Sequence, residues 1–169
     1  RAGEVVNCRI VEFMAMAKVH RWEDFARAAP EIATAGLRLL ALNEVAFLAT
    51  ASGTGRPRLH PFVPRVLQQR LVAFIMDSSP KAKDLELRRQ YAAHTLPGSE
   101  DEEFFVSGEA WTCNDETAFR SYVAKEMGFA TGVDEHHILF EFAIDRALWT
   151  QWLDFGTAKH RPSYVRWKA

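Results

Sequence analysis

The sequence predicts a mainly β (α+β) fold, a small β-barrel with peripheral helices. Apolar runs of strand composition recur from residue 45 to residue 152, and short turns separate most of them. Helical patterns occur only ahead of the first strand and in two insertions, whereas a doubly wound sheet alternates strands and helices throughout. With 48% hydrophobic and 25% charged residues among 169, the composition is that of a globular chain able to bury one core.

Composition also excludes several classes of function. A formal net charge of -1 gives no support to a nucleic-acid partner, and no apolar run has the length of a membrane span. Cys8 and Cys113 cannot form a disulfide framework, which favours a cytoplasmic setting. Residues 1–15 are interpreted as an extension or a tag, and 16–169 as one domain.

Two helices are predicted at the front of the domain. Residues 20–29 place Trp22 and Phe25 at helical spacing, and these two aromatic side chains are expected in the core. Pro30 ends that helix and begins the next, which runs toward Asn43.

The first strands predict a hairpin with an unusual second arm. Residues 44–52 have the composition of a buried strand, and two glycines at 53 and 55 mark a turn. Residues 56–64 are extended but contain prolines, which places them at a sheet edge. Alternation puts Arg56, Arg58 and His60 on one face, either as a solvated row or as one wall of an anion or cofactor pocket.

A helix start follows the next predicted strand. A turn is predicted over 66–70 and a strand over 71–76, and strong helix formers occupy 82–90. Ser79 suits the N-cap position and Pro80 the first helical position. The segment therefore runs from strand through a short turn into a capped helix.

Lys81 and Lys83 lie in the first turn of that helix, where the helix dipole is already positive. A bound phosphate would satisfy this end, because free backbone N–H groups point outward there. Alternatively, Asp77 and Asp84 offset the two lysines and no ligand is needed. The residues alone support both interpretations equally.

The second half of the chain predicts three more strands and a helix. Short and long strands are expected over 91–96 and 104–113, and Gly108 indicates a bulge or a close approach. The acidic residues 100–103 are interpreted as a solvated loop. Asn114 is predicted to cap a helix to Met127, and residues 136–152 are rich in strand patterns.

No catalytic or metal-binding set stands out. The sequence lacks a nucleophile elbow, and the adjacent His136 and His137 point to opposite faces of a strand. If the protein is an enzyme, a cofactor therefore carries the chemistry, and the catalytic residues stay unknown.

Four segments in this order resemble the pyridoxamine 5'-phosphate oxidase-like, FMN-binding split-barrel family. They are residues 47–50 (FLAT), 55–61 (GRPRLHP), 79–85 (SPKAKDL) and 102–110 (EEFFVSGEA). The resemblance extends over roughly residues 22–152. It implies a six-stranded antiparallel Greek-key split β-barrel that forms a homodimer, with FMN held between the two chains.

The resemblance also implies which residues bind the cofactor. Ser79 and Lys81 match the family's Ser-x-Lys, which holds the FMN phosphate. Further contacts are expected from the second strand, the next strand and a tryptophan near the barrel's end; they are Arg58, His60, Pro61, Phe62, Phe74, Ile75 and Trp152, with Trp149 as the alternative tryptophan. No metal ligands are expected.

Two departures from the family pattern limit the functional conclusion. His60 stands where the oxidase has an arginine, and the tail at 159–162 lacks the oxidase's Arg-x-His substrate motif. The expected function is an FMN-dependent oxidoreductase acting on an unidentified small molecule. The alternatives are a non-catalytic flavin-binding protein and a split-barrel protein that binds deazaflavin or haem.

Overall fold

The structure is a computed structural model that describes residues 20–129 and 133–169, so the predicted extension at 1–15 lies outside the described residues. Its front contains helices α1 (Trp22–Ala28) and α2 (Pro30–Leu42). Both predicted front helices are confirmed. The proline at position 30 occupies the first turn of α2, where its missing N–H costs nothing.

Nine strands and two further helices complete the described part of the chain. The strands are β1 (Ala46–Ala51), β2 (Pro57–Phe62), β3 (Arg65–Leu67), β4 (Arg70–Met76), β5 (Gln90–Thr95), β6 (Glu103–Thr112), β7 (His137–Phe142), β8 (Arg146–Leu153) and β9 (Arg161–Lys168). The helices are α3 (Pro80–Arg88) and α4 (Thr117–Glu126).

The long strand β6 joins two antiparallel sheets into a half-barrel. Sheet A has the order β2-β1-β5-β6-β8-β9, and sheet B has the order β3-β4-β7-β6. The predicted antiparallel split barrel is confirmed. The sheet exceeds six strands because β3 and the β8–β9 pair extend the path β2-β1-β5-β6-β7-β4.

Gly108 lies where β6 changes partners. β6 pairs with β8 up to Ser107 and with β7 from Ala110 onward. The bend between β7 and β8 passes so close that a Cβ on Gly108 would lie 2.2 Å from the carbonyl oxygen of Ala143. The predicted close approach at this glycine is therefore confirmed, and any side chain there would displace backbone.

An aromatic cluster attaches the front helices to the inner face of sheet A. The ring of Phe25 lies 5.2 Å from that of Trp167 and 6.4 Å from that of Phe104, while Trp22 contacts both phenylalanines edge-on. Full burial of each phenylalanine contributes about 1.5–3 kcal/mol. Trp22 and Phe25 are thus core residues, as predicted.

Two local predictions are wrong. Residues 65–67 form a strand, and the turn is reduced to Gln68 and Gln69, which both adopt positive φ angles of 46° and 59°. Asn114 does not cap α4, because its side-chain oxygen accepts a hydrogen bond from the backbone N–H of Leu139 at 2.9 Å. The first departure arises because β3 pairs with the adjacent strand β4 in a tight hairpin, and the second because Asn114 contacts the distant strand β7.

Candidate functional site

A cavity of about 580 Å³ lies where the end of β2, strand β4 and the start of α3 meet. This volume suits a small organic ligand or cofactor. Six of the nine predicted cofactor residues line it, namely Pro61, Phe62, Phe74, Ile75, Ser79 and Lys81. Residues distant in sequence, from the hairpin and the strand-to-helix turn, are thereby brought to one site.

The start of α3 forms the polar end of the cavity. Ser79 has extended backbone, and its hydroxyl accepts a hydrogen bond from the N–H of Ala82 at 3.4 Å, which confirms the predicted N-cap. Pro80 begins the helix and has no N–H of its own. The helix start therefore presents its positive end to the cavity.

Lys81 crosses from α3 to β2. Its ammonium donates a hydrogen bond to the carbonyl oxygen of Pro61 at 2.7 Å, and burial lowers the pKa of the lysine. A carbonyl dipole compensates a buried cation less completely than a full negative charge does. The lysine is thus held at the cavity by a partner that an anion can replace.

The two nearby aspartates do not offset the lysines. Asp77 pairs with His136 at 3.1 Å, and Asp84 is 5% exposed and pairs with Arg58 at 3.0 Å. Of the two interpretations of this helix start, the one that needs no ligand loses its premise. The positive end of α3 favours an anion from outside the described chain.

The side chain of Arg58 has a structural role, because it pairs with Asp84 of α3. Its guanidinium contacts both carboxylate oxygens of Asp84 at 3.0 and 3.2 Å, and Thr50 donates a third hydrogen bond to that carboxylate at 2.8 Å. Two residues of the predicted polar row, Arg58 and His60, therefore face inward, whereas Arg56 is exposed, and Arg58 ties α3 to the β1–β2 hairpin. Arg58 does not line the cavity, so its predicted cofactor contact stays a prediction.

His60 lies next to Arg58 on the same face of β2. Its Nε2 atom is buried and has no hydrogen-bond partner among the described residues. Burial lowers the pKa of the imidazole, and the charge of Lys81 lowers it further. The ring is therefore neutral near pH 7, and it lies behind the cavity wall rather than among the lining residues.

Two further lining residues beside Phe74, Phe129 and His137, were not foreseen from the sequence. The ring of Phe129 lies 5.6 Å from that of Phe74 and 5.8 Å from that of His137. The guanidinium of Arg120 in α4 lies over the Phe74 ring at 5.2 Å. No local pattern marks Phe129 as a site residue, because it follows the end of α4 and reaches β4 only through the fold.

The two predicted tryptophans do not reach the cavity of their own chain. Trp152 lies in β8 with its ring 5.5 Å from that of His160. The indole N–H of Trp149 donates to the carboxylate of Glu102 at 2.6 Å, and Arg38 pairs with the same carboxylate. Glu102 is thus a partly buried partner of two side chains, so the solvated-loop interpretation of residues 100–103 is wrong for this residue.

The described residues contain no group of three or more His, Cys, Asp or Glu side chains arranged to hold a metal ion. Cys113 is buried, and its burial raises the pKa of the thiol to about 12, which leaves it unreactive. Among the same residues, no helix combines the length and apolar character that crossing a membrane requires.

Comparisons with known proteins identify the fold. A pyridoxamine 5'-phosphate oxidase-related, FMN-binding protein from Nostoc punctiforme aligns with a TM-score of 0.61 at 16% identity, over 83% of this chain and 96% of that one. The haem storage protein HutZ from Vibrio cholerae aligns with a TM-score of 0.56 at 17% identity, over 69% and 89%.

A haem-binding protein from Mycobacterium smegmatis aligns with a TM-score of 0.55 at 16% identity, over 78% of this chain and 57% of that one. This chain thus spans little more than half the length of that protein. No protein-family model matches the chain, and no curated protein matches it significantly. The chain has the split-barrel fold of the pyridoxamine 5'-phosphate oxidase-like proteins, as the sequence resemblance implied.

Proposed function

We propose that this protein binds FMN in the cavity at the start of α3 and is an FMN-dependent oxidoreductase acting on a small molecule. One observation carries the proposal: a single cavity joins the capped helix start and Lys81 to the apolar side chains of Phe62, Phe74 and Ile75. FMN has the same two parts, an anionic phosphate tail and a flat apolar ring. A neighbour of the same fold is described as FMN-binding.

The chain's own residues have separate tasks in this proposal. Ser79 and Lys81 hold the phosphate, while the aromatic walls exclude water from the flavin ring. Bound FMN supplies hydride or electron acceptance, which the side chains described here do not supply. The proposed setting is the cytoplasm, in keeping with a chain of two cysteines.

A homodimer is part of the proposal, but its support differs from the sequence argument. The sequence predicts a partner because its aromatic strand residues exceed what one small barrel must hide; they are Phe104, Phe105, Phe140, Phe142 and Trp149. Three of them, Phe104, Phe140 and Phe142, are at most 1% exposed within their own chain. That premise is therefore wrong.

The outer face of sheet A provides better support. Register places one row of residues across its six strands, Pro61, Phe47, His94, Phe105, Leu148 and Arg166. On this face Phe47 is 38% and Leu59 is 65% exposed. A second copy would cover these apolar side chains, and only a second copy would let Trp152 approach the cofactor. Sedimentation of flavin-loaded protein as a monomer would contradict the dimer.

Replacing Lys81 with alanine tests the phosphate site. We expect FMN affinity to fall about ten- to a hundredfold, since a hydrogen bond to a charged group contributes about 1.5–3 kcal/mol. Riboflavin, which lacks the phosphate, should bind equally well to the wild-type and K81A proteins. Titration of flavin fluorescence measures both affinities. Lys83→Ala is the matched control, because Lys83 is exposed and does not line the cavity.

Equal losses for FMN and riboflavin would indicate general damage, and no loss for either would overturn the phosphate site. If FMN does bind, bleaching of its visible absorbance by reduced nicotinamide, with recovery in air, would favour an enzyme. Stable absorbance under the same conditions favours the non-catalytic flavin-binding alternative.

Haem is the second candidate, because His137 lines the cavity and its Nδ1 is held by Asp134 at 2.7 Å. A neutral imidazole fixed by a carboxylate is a common axial ligand. Added haem should then show a sharpened and shifted Soret band, and the band of haem added to His137→Gln should stay that of free haem. Flavin, deazaflavin and haem have distinct absorbance spectra, so one set of titrations separates the three cofactors.

A further inference from the structure

A buried ring nitrogen close to Lys81, behind the polar end of the cavity, has no hydrogen-bond partner among the described residues. Nε2 of His60 is buried without a hydrogen-bond partner, although most buried polar atoms have one. The residue lies one position before Pro61, whose carbonyl holds Lys81. His60 therefore stands directly behind the group that is proposed to hold the phosphate.

The charged groups facing His60 come from two elements. Lys81 and Asp84 face it from α3, and Arg58 faces it from its own strand, β2. The carboxylate of Asp84 is already shared by Arg58 and Thr50. Two cations and one anion that is already paired surround the imidazole, so a further positive charge on the ring is disfavoured.

A phosphate reverses this balance. An FMN phosphate carries roughly -1.5 to -2 charges at pH 7, by analogy with other phosphate monoesters, and would draw Lys81 away from the Pro61 carbonyl. The negative charge of the phosphate would then act on the imidazole, whose Nε2 is buried and whose pKa the charge of Lys81 now lowers, and a nearby opposite charge favours the protonated ring.

We infer that FMN binding is coupled to protonation of His60, so that the ring takes up a proton from solvent as the phosphate enters. The inference rests on the proposed function and concerns the same site. Because burial, Lys81 and Arg58 hold the pKa of the free-state imidazole below its usual 6.5, the proton is absent before binding near pH 7. FMN affinity should therefore rise as pH falls from the pKa of the bound state toward that of the free state.

Isothermal titration calorimetry of FMN at pH 6.5, in buffers of different ionisation enthalpy, counts the protons taken up. We expect the wild-type protein to take up a larger fraction of a proton than His60→Gln. The FMN phosphate has its own pKa of about 6, and its contribution is common to both proteins and cancels in the difference. His20→Gln is the matched control, since the ring of His20 contacts that of Trp167 and does not line the cavity.

Riboflavin provides the second arm, which needs no variant at His60. Without a phosphate it should bind the wild-type protein with less proton uptake than FMN does at pH 7.5, where the FMN phosphate, with its pKa of about 6, is already almost fully ionised and has almost no proton to release. This arm also decides the question if His60→Gln does not fold.

The outcomes separate the two levels of proposal. FMN binding with equal proton uptake in the wild-type and His60→Gln proteins overturns the inference and leaves the proposed function standing. Equal uptake for FMN and riboflavin does the same. An absence of binding heat with FMN in every buffer overturns the proposed function and the inference together.

Discussion

Two carboxylates, one in α3 and one in β7, are buried against arginines, and they differ in what surrounds them. Asp84 is 5% exposed and has one arginine and one threonine as partners. Glu141 is 0% exposed and lies between Arg70 and Arg21. A small cluster thus ties α3 to a hairpin beside the cavity, and a larger one lies under sheet B.

The larger cluster joins four parts of the chain. Arg70 of β4 contacts Glu141 of β7. It also forms a bidentate ion pair, at 2.6 and 2.9 Å, with Glu116, which lies just ahead of α4. Arg21, just ahead of α1, lies 3.3 Å from Glu141. No residue of this cluster lines the cavity. The comparison indicates that the Glu141 cluster stabilises the fold, whereas the Asp84 cluster positions the site.

Removing the charge of Glu141 should have the largest effect on stability. Glu141→Gln removes the buried charge that Arg70 and Arg21 share, and the cost of about 3–5 kcal/mol for breaking a buried pair is an upper bound, because Glu116 still pairs with Arg70. Urea unfolding measures this loss as a lower midpoint. Glu86→Gln, on the exposed face of α3, is the control and should change stability by less than about 0.5 kcal/mol. FMN affinity of the folded protein should be unchanged, and a large loss of affinity would contradict the comparison.

Asp84→Asn should destabilise the protein less. It removes a charged hydrogen bond contributing about 1.5–3 kcal/mol, and the Arg58 side chain is 38% exposed, so its guanidinium can turn to water. Asp84 attaches α3 to the β1–β2 hairpin, so Asp84→Asn should also weaken FMN binding. Glu141→Gln should leave FMN binding unchanged. Urea unfolding and fluorescence titration measure the two effects. An unchanged affinity for FMN would mean that the cluster only stabilises the hairpin.

The smallest effect is expected at Glu116, and it depends on pH. The hydrogen bond from Arg70 lowers the pKa of this carboxyl, so the pair contributes stability above the unfolded-state pKa and loses it as pH falls through the folded-state pKa. Glu116 is 46% exposed, so the contribution is less than about 1 kcal/mol. Unfolding free energies measured from pH 7 to pH 3 should fall less steeply in Glu116→Gln than in the wild type. Parallel curves would show that the pair contributes nothing.

The helix start was predictable because its chemistry is local. Ser79 and Pro80 act through the backbone of the next few residues. The cap, the helix and the position of Lys81 can therefore be predicted from residues that are neighbours in the sequence. The edge strand with its prolines, the buried Trp22 and Phe25, and the tight space at Gly108 were predictable for similar reasons. Alternation and residue size restrict each of them before any distant partner is known.

Only the tertiary structure decided which charged groups remain available to a ligand. Arg58 is separated from Asp84 by 26 positions in the sequence, and Arg70 is separated from Glu141 by 71 positions. No local sequence pattern predicts either ion pair. The same holds for Phe129 and His137, which reach the cavity only once α4 and β7 pack beside β4. The sequence by itself determined a mainly β fold and one end of its cavity, because strand patterns and caps act over a few residues, and the split barrel was implied by the family resemblance. The pairing of charges depended on which strands became neighbours, since burial and electrostatic interactions act through space.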